Sequence, residues 1–218
     1  MDKHTETRRT WRELWLRPRM GRRVAALLLG TALIGGSIGV FRIVGFGTPP
    51  GSTLSLGFSH ATGVSFGTCQ LLINVMLGLF MVRFDPSKLG VGTLVNMVCV
   101  GYTADFCVYL LTPFLPEAGL SMARRLVLLA GSVAVFLVAA AFYIVADLGV
   151  GPYDGVPLIL GNRAKRLTPR TVRVIWDVSA LTVGFLLGAT LGLTTVLTGF
   201  FLGPVIAAIS DRAGKWFQ

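Results

Sequence analysis

The chain has 218 residues, 53% of them hydrophobic and 14% charged, and a mean hydropathy of +0.72. An ordinary globular domain is about 25% charged, and so few charges cannot coat a soluble surface of this size, which excludes most soluble enzyme classes and leaves a polytopic helical membrane protein. The net charge of +10 raises nucleic acid as a partner, but the basic residues are packed at the ends of apolar runs, which sets that partner aside in favour of anionic lipid.

Residues 1–23 form a basic tail. Lys3, Arg8, Arg9, Arg12, Arg17, Arg19, Arg22 and Arg23 precede the first apolar run. Trp11, Leu14, Trp15 and Leu16 alternate with arginines, a pattern that suits a short interfacial helix and equally a basic tail. No A-x-A site follows the long first apolar stretch, so it reads as a retained span rather than a signal peptide.

Six apolar segments follow, at roughly 24–46, 66–82, 91–112, 125–146, 171–188 and 190–209, each near the 17–25 residues that cross a bilayer. Ser65, Ser121 and Thr168 mark helix starts, the last with Pro169 at the first helical position. Gly188-Ala189-Thr190 separates the last two spans by a tight turn. The expected organisation is a tail (1–23), a first three-helix half (24–112), an outer linker (113–124), a second half (125–210) and a short tail (211–218) ending in the interfacial anchors Trp216 and Phe217.

Orientation follows from Lys and Arg. With the N-terminus inside, 17 of the 20 basic residues face the cytoplasm, including Arg83, Lys88, the cluster Arg163, Lys165, Arg166, Arg170 and Arg173, and Arg212 and Lys215. The prediction is six crossings with both termini inside. Arg163, Lys165 and Arg166 would hold their loop at the anionic lipid surface.

The halves resemble each other. Gly45, Gly47, Gly51 and Gly57 fall 104 residues before Gly149, Gly151, Gly155 and Gly161, while Leu89, Gly90, Thr93 and Gly101 fall 102 before Leu191, Gly192, Thr195 and Gly203. Each half holds three spans, an odd number, so the second must run through the membrane in the opposite sense. The expected fold is thus all-α, six transmembrane helices in a 3+3 inverted repeat, a plan of secondary transporters. Two Gly/Pro segments occupy corresponding places. One carries Gly47, Pro49, Pro50 and Gly51, the other Gly151, Pro152 and Gly155; each offers a short apolar stretch that could re-enter as a half-helix started by Pro.

The segment Leu148-Gly149-Val150-Gly151-Pro152-Tyr153-Asp154 resembles the LGxGPWD-type motif of the YczE/YyaS/YitT-type bacterial membrane proteins, with Tyr153 in place of the usual Trp. Gly90-Val91-Gly92-Thr93-Leu94-Val95-Asn96 with Gly101 resembles their G-x-GT-x-x-N…G segment. The resemblance implies a multi-pass protein of the bacterial inner membrane and no defined activity. It departs from the family in the first half, where Thr48-Pro49-Pro50-Gly51 carries no acid.

Charge inside a span costs several kcal/mol on most scales, so intramembrane ionisable residues are candidates for function. Asp177 lies inside the fifth span, Asn74 at the corresponding place in the first half, and Asp154 in the second Gly/Pro segment. These three, with Asn96, could line a polar pathway. The competing reading pairs Asp177 with Arg173 one turn earlier as a simple ion pair. Arg42 and Asp105 read as separate interfacial residues, Arg42 snorkelling and Asp105 meeting water. His60 has no second ligand near it in sequence, and Cys69, Cys99 and Cys107 form no CxxC pair, so no metal site or cofactor is expected. No nucleophile is paired with a base, so the chain does not read as an enzyme.

The expectation is a small secondary transporter or exporter of an unnamed small solute or ion that rocks one half against the other. The alternative is a non-catalytic membrane accessory or scaffold binding a partner or lipid. Homo-oligomerisation is open.

Overall fold

Eight α-helices and one 3-10 turn, and no strand, make up the residues that the computed structural model describes, 20–116, 119–164 and 166–200. The helices are α1 (Met20–Val44), α2 (Pro50–Thr62), α3 (Phe66–Phe84), α4 (Val91–Leu111), α5 (Met122–Ala146), α6 (Pro152–Arg163), α7 (Pro169–Leu186) and α8 (Leu193–Phe200), with the 3-10 turn at Pro86–Lys88. The readings that fall on the N-terminal tail, on Lys165 and on residues 201–218 lie outside the described residues.

Helix starts follow local chemistry. The side chains of Ser65, Ser121 and Thr168 accept hydrogen bonds from the backbone N–H groups of Thr68, Arg124 and Thr171, which satisfies donors that the first helical turn leaves free. Pro50, Pro152 and Pro169 each stand at a first helical position, where the missing N–H costs nothing.

Four helices, α1, α3, α4 and α5, are long and apolar enough to cross a membrane, which marks the chain as a membrane protein. The expected fifth span, 171–188, does form a helix, but α7 is not among the four, because Arg170, Arg173 and Asp177 dilute its apolar surface. The expected sixth span, 190–209, is described only as far as α8. α2 and α6 have 13 and 12 residues. At about 1.5 Å per residue they reach about 20 Å, short of the roughly 30 Å hydrocarbon layer.

Packing divides the described helices in a way the chain order does not announce. α1 lies against α5 and α4; α2 lies against α7; α3 packs on α6 as well as on α4, and α6 packs on α7. The largest buried cluster joins Leu27, Phe41 and Val44 of α1 to Ala104 of α4 and to Ala139 and Ala146 of α5. A second cluster joins Met81 of α3 to Val156 and Ile159 of α6.

The chain crosses between these groups at two junctions built to one pattern. In the first, Thr194 N–H donates to Phe46 O (2.9 Å), Gly192 N–H to Thr195 Oγ1 (3.4 Å) and Thr195 Oγ1 to Thr48 O (3.1 Å). In the second, Gly92 N–H donates to Leu148 O (2.8 Å), Gly90 N–H to Thr93 Oγ1 (3.0 Å) and Thr93 Oγ1 to Val150 O (2.9 Å). Every residue of one junction lies 102 positions from its counterpart in the other. Each half therefore grips the other half's loop.

The single spacing of 102 corrects the 104 read from the first glycine series. Matching glycine to glycine paired Gly45 with Gly149, whereas the counterpart of Gly45 (φ 76) is Asp147 (φ 48), and that of Gly47 (φ 82) is Gly149 (φ 122). Asp is one of the few non-glycine residues that tolerates the left-handed region. Close approach explains Gly90 and Gly192. A Cβ on Gly192 would stand 2.5 Å from the Phe46 carbonyl oxygen, and one on Gly90 would overlap the Leu148 carbonyl.

Candidate functional site

The two short helices meet at their N-terminal ends. A Cβ on Gly51, in the first turn of α2, would stand 2.9 Å from Cγ of Tyr153, in the first turn of α6. The two Gly/Pro segments are thus in contact, and the ring of Tyr153 occupies the space that a side chain at position 51 would need. On its α2 side the segment is polar but neutral: Thr48, Ser52, Thr53 and Ser55 are buried, and Thr53 Oγ1 bonds to Thr48 (Oγ1 and O, both 2.9 Å).

The α6 side carries charge. Tyr153 OH donates to Asp177 Oδ1 (2.8 Å), Arg173 Nε donates to Asp177 Oδ2 (2.9 Å), and Arg173 Nη1 donates to Asp154 Oδ1 (2.8 Å). Arg173 and Asp177 are four apart on α7, so they share a face. The first turn of α6 brings Tyr153 and Asp154 to that face. Both oxygens of Asp177 are occupied, and one guanidinium serves two carboxylates, so the formal charge of the cluster is one negative. Exposure is graded across it, from 15% for the Asp177 side chain to 41% for Arg173 and 52% for Asp154. The guanidinium also lies over the Tyr153 ring, 5.6 Å from its centroid, and the Trp176 ring stands 5.8 Å from that of Tyr153. The Trp176 indole N–H is buried without a partner.

The other expected pathway residues are elsewhere. Asn74 is buried in α3, and among the described residues no hydrogen bond or ion pair joins it to the charged cluster. Asn96 belongs to the second junction, where its Oδ1 would stand 2.8 Å from a Cβ on Gly151. Pro152 is fully buried, Gly155 packs against Met81, and Pro49 precedes α2 with its carbonyl accepting Thr53 N–H (2.8 Å). Arg163 does more than face lipid: Nη2 donates to Phe84 O at the C-terminus of α3 (2.7 Å), and its guanidinium lies 4.9 Å from the Phe84 ring centroid. Arg166 is exposed.

A second charged site was missed because its partners lie 63 residues apart. Arg42 and Asp105 are not separate interfacial residues. Arg42 Nη1 donates to Asp105 Oδ1 (2.7 Å), and Gly67 N–H at the start of α3 donates to Asp105 Oδ2 (2.7 Å). Arg42 also stacks on Phe66, 4.6 Å from its centroid. The first-turn N–H of a helix favours an anion, so Asp105 is held from two sides. His60 Nδ1 lies 2.9 Å from Gly188 O.

Comparison with known proteins identifies kin without an activity. Residues 21–211 match a family described as "Family of unknown function (DUF6198)". An uncharacterized protein of Haemophilus influenzae is 29% identical over 185 residues, which cover 84% of this chain and 81% of that protein. No solved structure matches the chain.

Proposed function

The chain belongs to that family of unknown function, and on this premise we propose that it is a small secondary transporter or exporter that moves a small solute or ion by alternating access. The observation that carries the reading is the contact between the N-terminal turns of two short helices, Gly51 against Tyr153, beside the Tyr153–Asp154–Arg173–Asp177 cluster. Broken helices that meet inside a membrane protein are the usual frame of a solute or ion site, because their free turns and dipole ends survive there only when buried or facing a wet cavity. A cluster of one guanidinium between two carboxylates can exchange an internal cation for an external one, or a proton for either.

In this reading the halves are oppositely oriented copies with six crossings, both termini lie in the cytoplasm of a bacterial cell, and Arg163, Lys165 and Arg166 stand at the anionic inner leaflet. The matched junctions and the likeness of residues 148–154 to the YczE/YyaS/YitT-type proteins support it. The test is uptake and efflux in proteoliposomes across a panel of small solutes under a proton gradient. Gradient-dependent flux of at least one solute is expected; none for any solute, from protein shown to be folded, would overturn the reading.

A second reading, a non-catalytic accessory or scaffold, is favoured by one observation: Asp177 is bonded to Arg173 within the protein. It predicts that Asp177→Asn leaves cellular function intact, whereas substitution of packing glycines destroys it through misassembly.

A further inference from the structure

We propose that the bodies that move against each other are not the two halves of the sequence but two crossed bundles, one of α1, α4 and α5, the other of α2, α3, α6 and α7, hinged at the two gripped junctions. The inference rests on the alternating-access reading and names its moving parts.

Each bundle joins helices from both halves through backbone contacts that leave no room for a side chain. In the first, a Cβ on Gly30 of α1 would stand 2.9 Å from Ala139 O of α5, and one on Gly35 would stand 2.6 Å from Val100 O of α4. In the second, a Cβ on Gly184 of α7 would stand 2.5 Å from Thr53 O of α2, and Met81 of α3 is fully buried against α6. Rocking the first half against the second would pull α1 from α5 and α2 from α7, breaking close contacts whose dispersion and packing have no replacement in lipid.

Crossed bundles need no such rupture. The chain passes between them at residues 45–49, 85–90, 147–151 and 187–192, which come together in pairs as the two junctions. Positive φ at Gly45, Gly47, Asp147, Gly149 and Gly188 gives these segments the sharp turns of a hinge. Between the bundles the main packed surface is α3 on α4. It is closed at one end by a polar clasp: Arg42 and Asp105 of the first bundle hold Gly67 N–H and the Phe66 ring of the second. With side-chain exposures of 19% and 26%, this clasp is within reach of water and can open without baring a buried charge.

Spin labels and electron–electron distance measurements in lipid nanodiscs test the assignment. After Cys69, Cys99 and Cys107 are replaced by serine, one pair is placed at the exposed positions Phe58 and Phe185 (α2/α7, different halves, one bundle). A second goes at Leu72 and Phe106 (α3/α4, one half, different bundles). The α2/α7 pair is expected to give one narrow distance and the α3/α4 pair two distances several ångström apart. Asp105→Asn shifts the weights of the α3/α4 distances alone. Two distances for α2/α7 with one for α3/α4, or one distance for both, overturns the proposal, and so does an Asp105→Asn variant with unchanged weights. Flux failing in protein whose α3/α4 pair moves removes the transport reading and leaves the bundles standing. Flux with a moving α2/α7 pair does the reverse.

Discussion

The two junctions and the two charged sites of this molecule follow opposite rules. The junctions match atom for atom at a constant spacing, with Thr93 and Thr195, Gly90 and Gly192, and the carbonyls of residues 148 and 46 in equivalent parts. The charged sites do not match at all. Tyr153 and Asp154 stand where the first half has Gly51 and Ser52, and Arg42 and Asp105 stand where the second half has Ile144 and Ala207. α3 and α7 begin at Ser65 and Thr168, 103 apart, which sets neutral Asn74 opposite Asp177. The backbone device is shared; the chemistry is particular to each half. Any function that needs charge is therefore to be sought in the differences, and stability in the likenesses.

The likeness breaks most visibly at its glycines. Gly90→Val and Gly192→Val each drive a side chain into a carbonyl group that the opposite loop holds in place, and each is expected to cost about 3 kcal/mol or more. The midpoint of thermal unfolding in detergent measures both, and a loss at one position alone would show the junctions to be inequivalent. Thr93→Val and Thr195→Val keep the shape and remove the hydroxyl. Each strands a backbone N–H and a carbonyl and should cost about 1–3 kcal/mol, the two values agreeing within about 1 kcal/mol, as denaturant midpoints would report.

Effects at the charged sites are smaller and unequal. Asp105→Asn leaves Arg42 unpaired at a part-exposed position. The expected loss is about 1–2 kcal/mol, below the roughly 3–5 kcal/mol of a fully buried broken pair. Asp177→Asn keeps a hydrogen-bonding amide beside Tyr153 and Arg173, so its unfolding midpoint should move by less than about 1 kcal/mol, while gradient-dependent flux is lost. A variant that transports as well as wild type would give the charged cluster to the accessory reading.

How much of this was legible in the sequence follows the range of each interaction. Ser65, Ser121 and Thr168 announced their helices because capping is local, and Arg173–Asp177 could be read from a four-residue spacing. The short helices were visible as Pro/Gly breaks. The repeated Gly…Thr at 90–93 and 192–195 was visible as a likeness, but not as a grip, since its acceptors lie more than 50 residues away. The register slipped by two because glycine was matched to glycine, while Asp147 holds the left-handed turn that Gly45 holds in the first half. Arg42–Asp105 left no local signal, and the low hydropathy of α7 reflects the charges that make it a candidate for function.

The central claim is that the halves are oppositely oriented copies, and single cysteines in the loops that follow α2 and α6 test it most directly. Val64 and Arg166 are exposed and occupy corresponding places after the two short helices. In intact cells lacking the native cysteines, Val64→Cys is expected to react with a membrane-impermeant maleimide, and Arg166→Cys only after the membrane is opened. Labelling of both from the same side would contradict the claim.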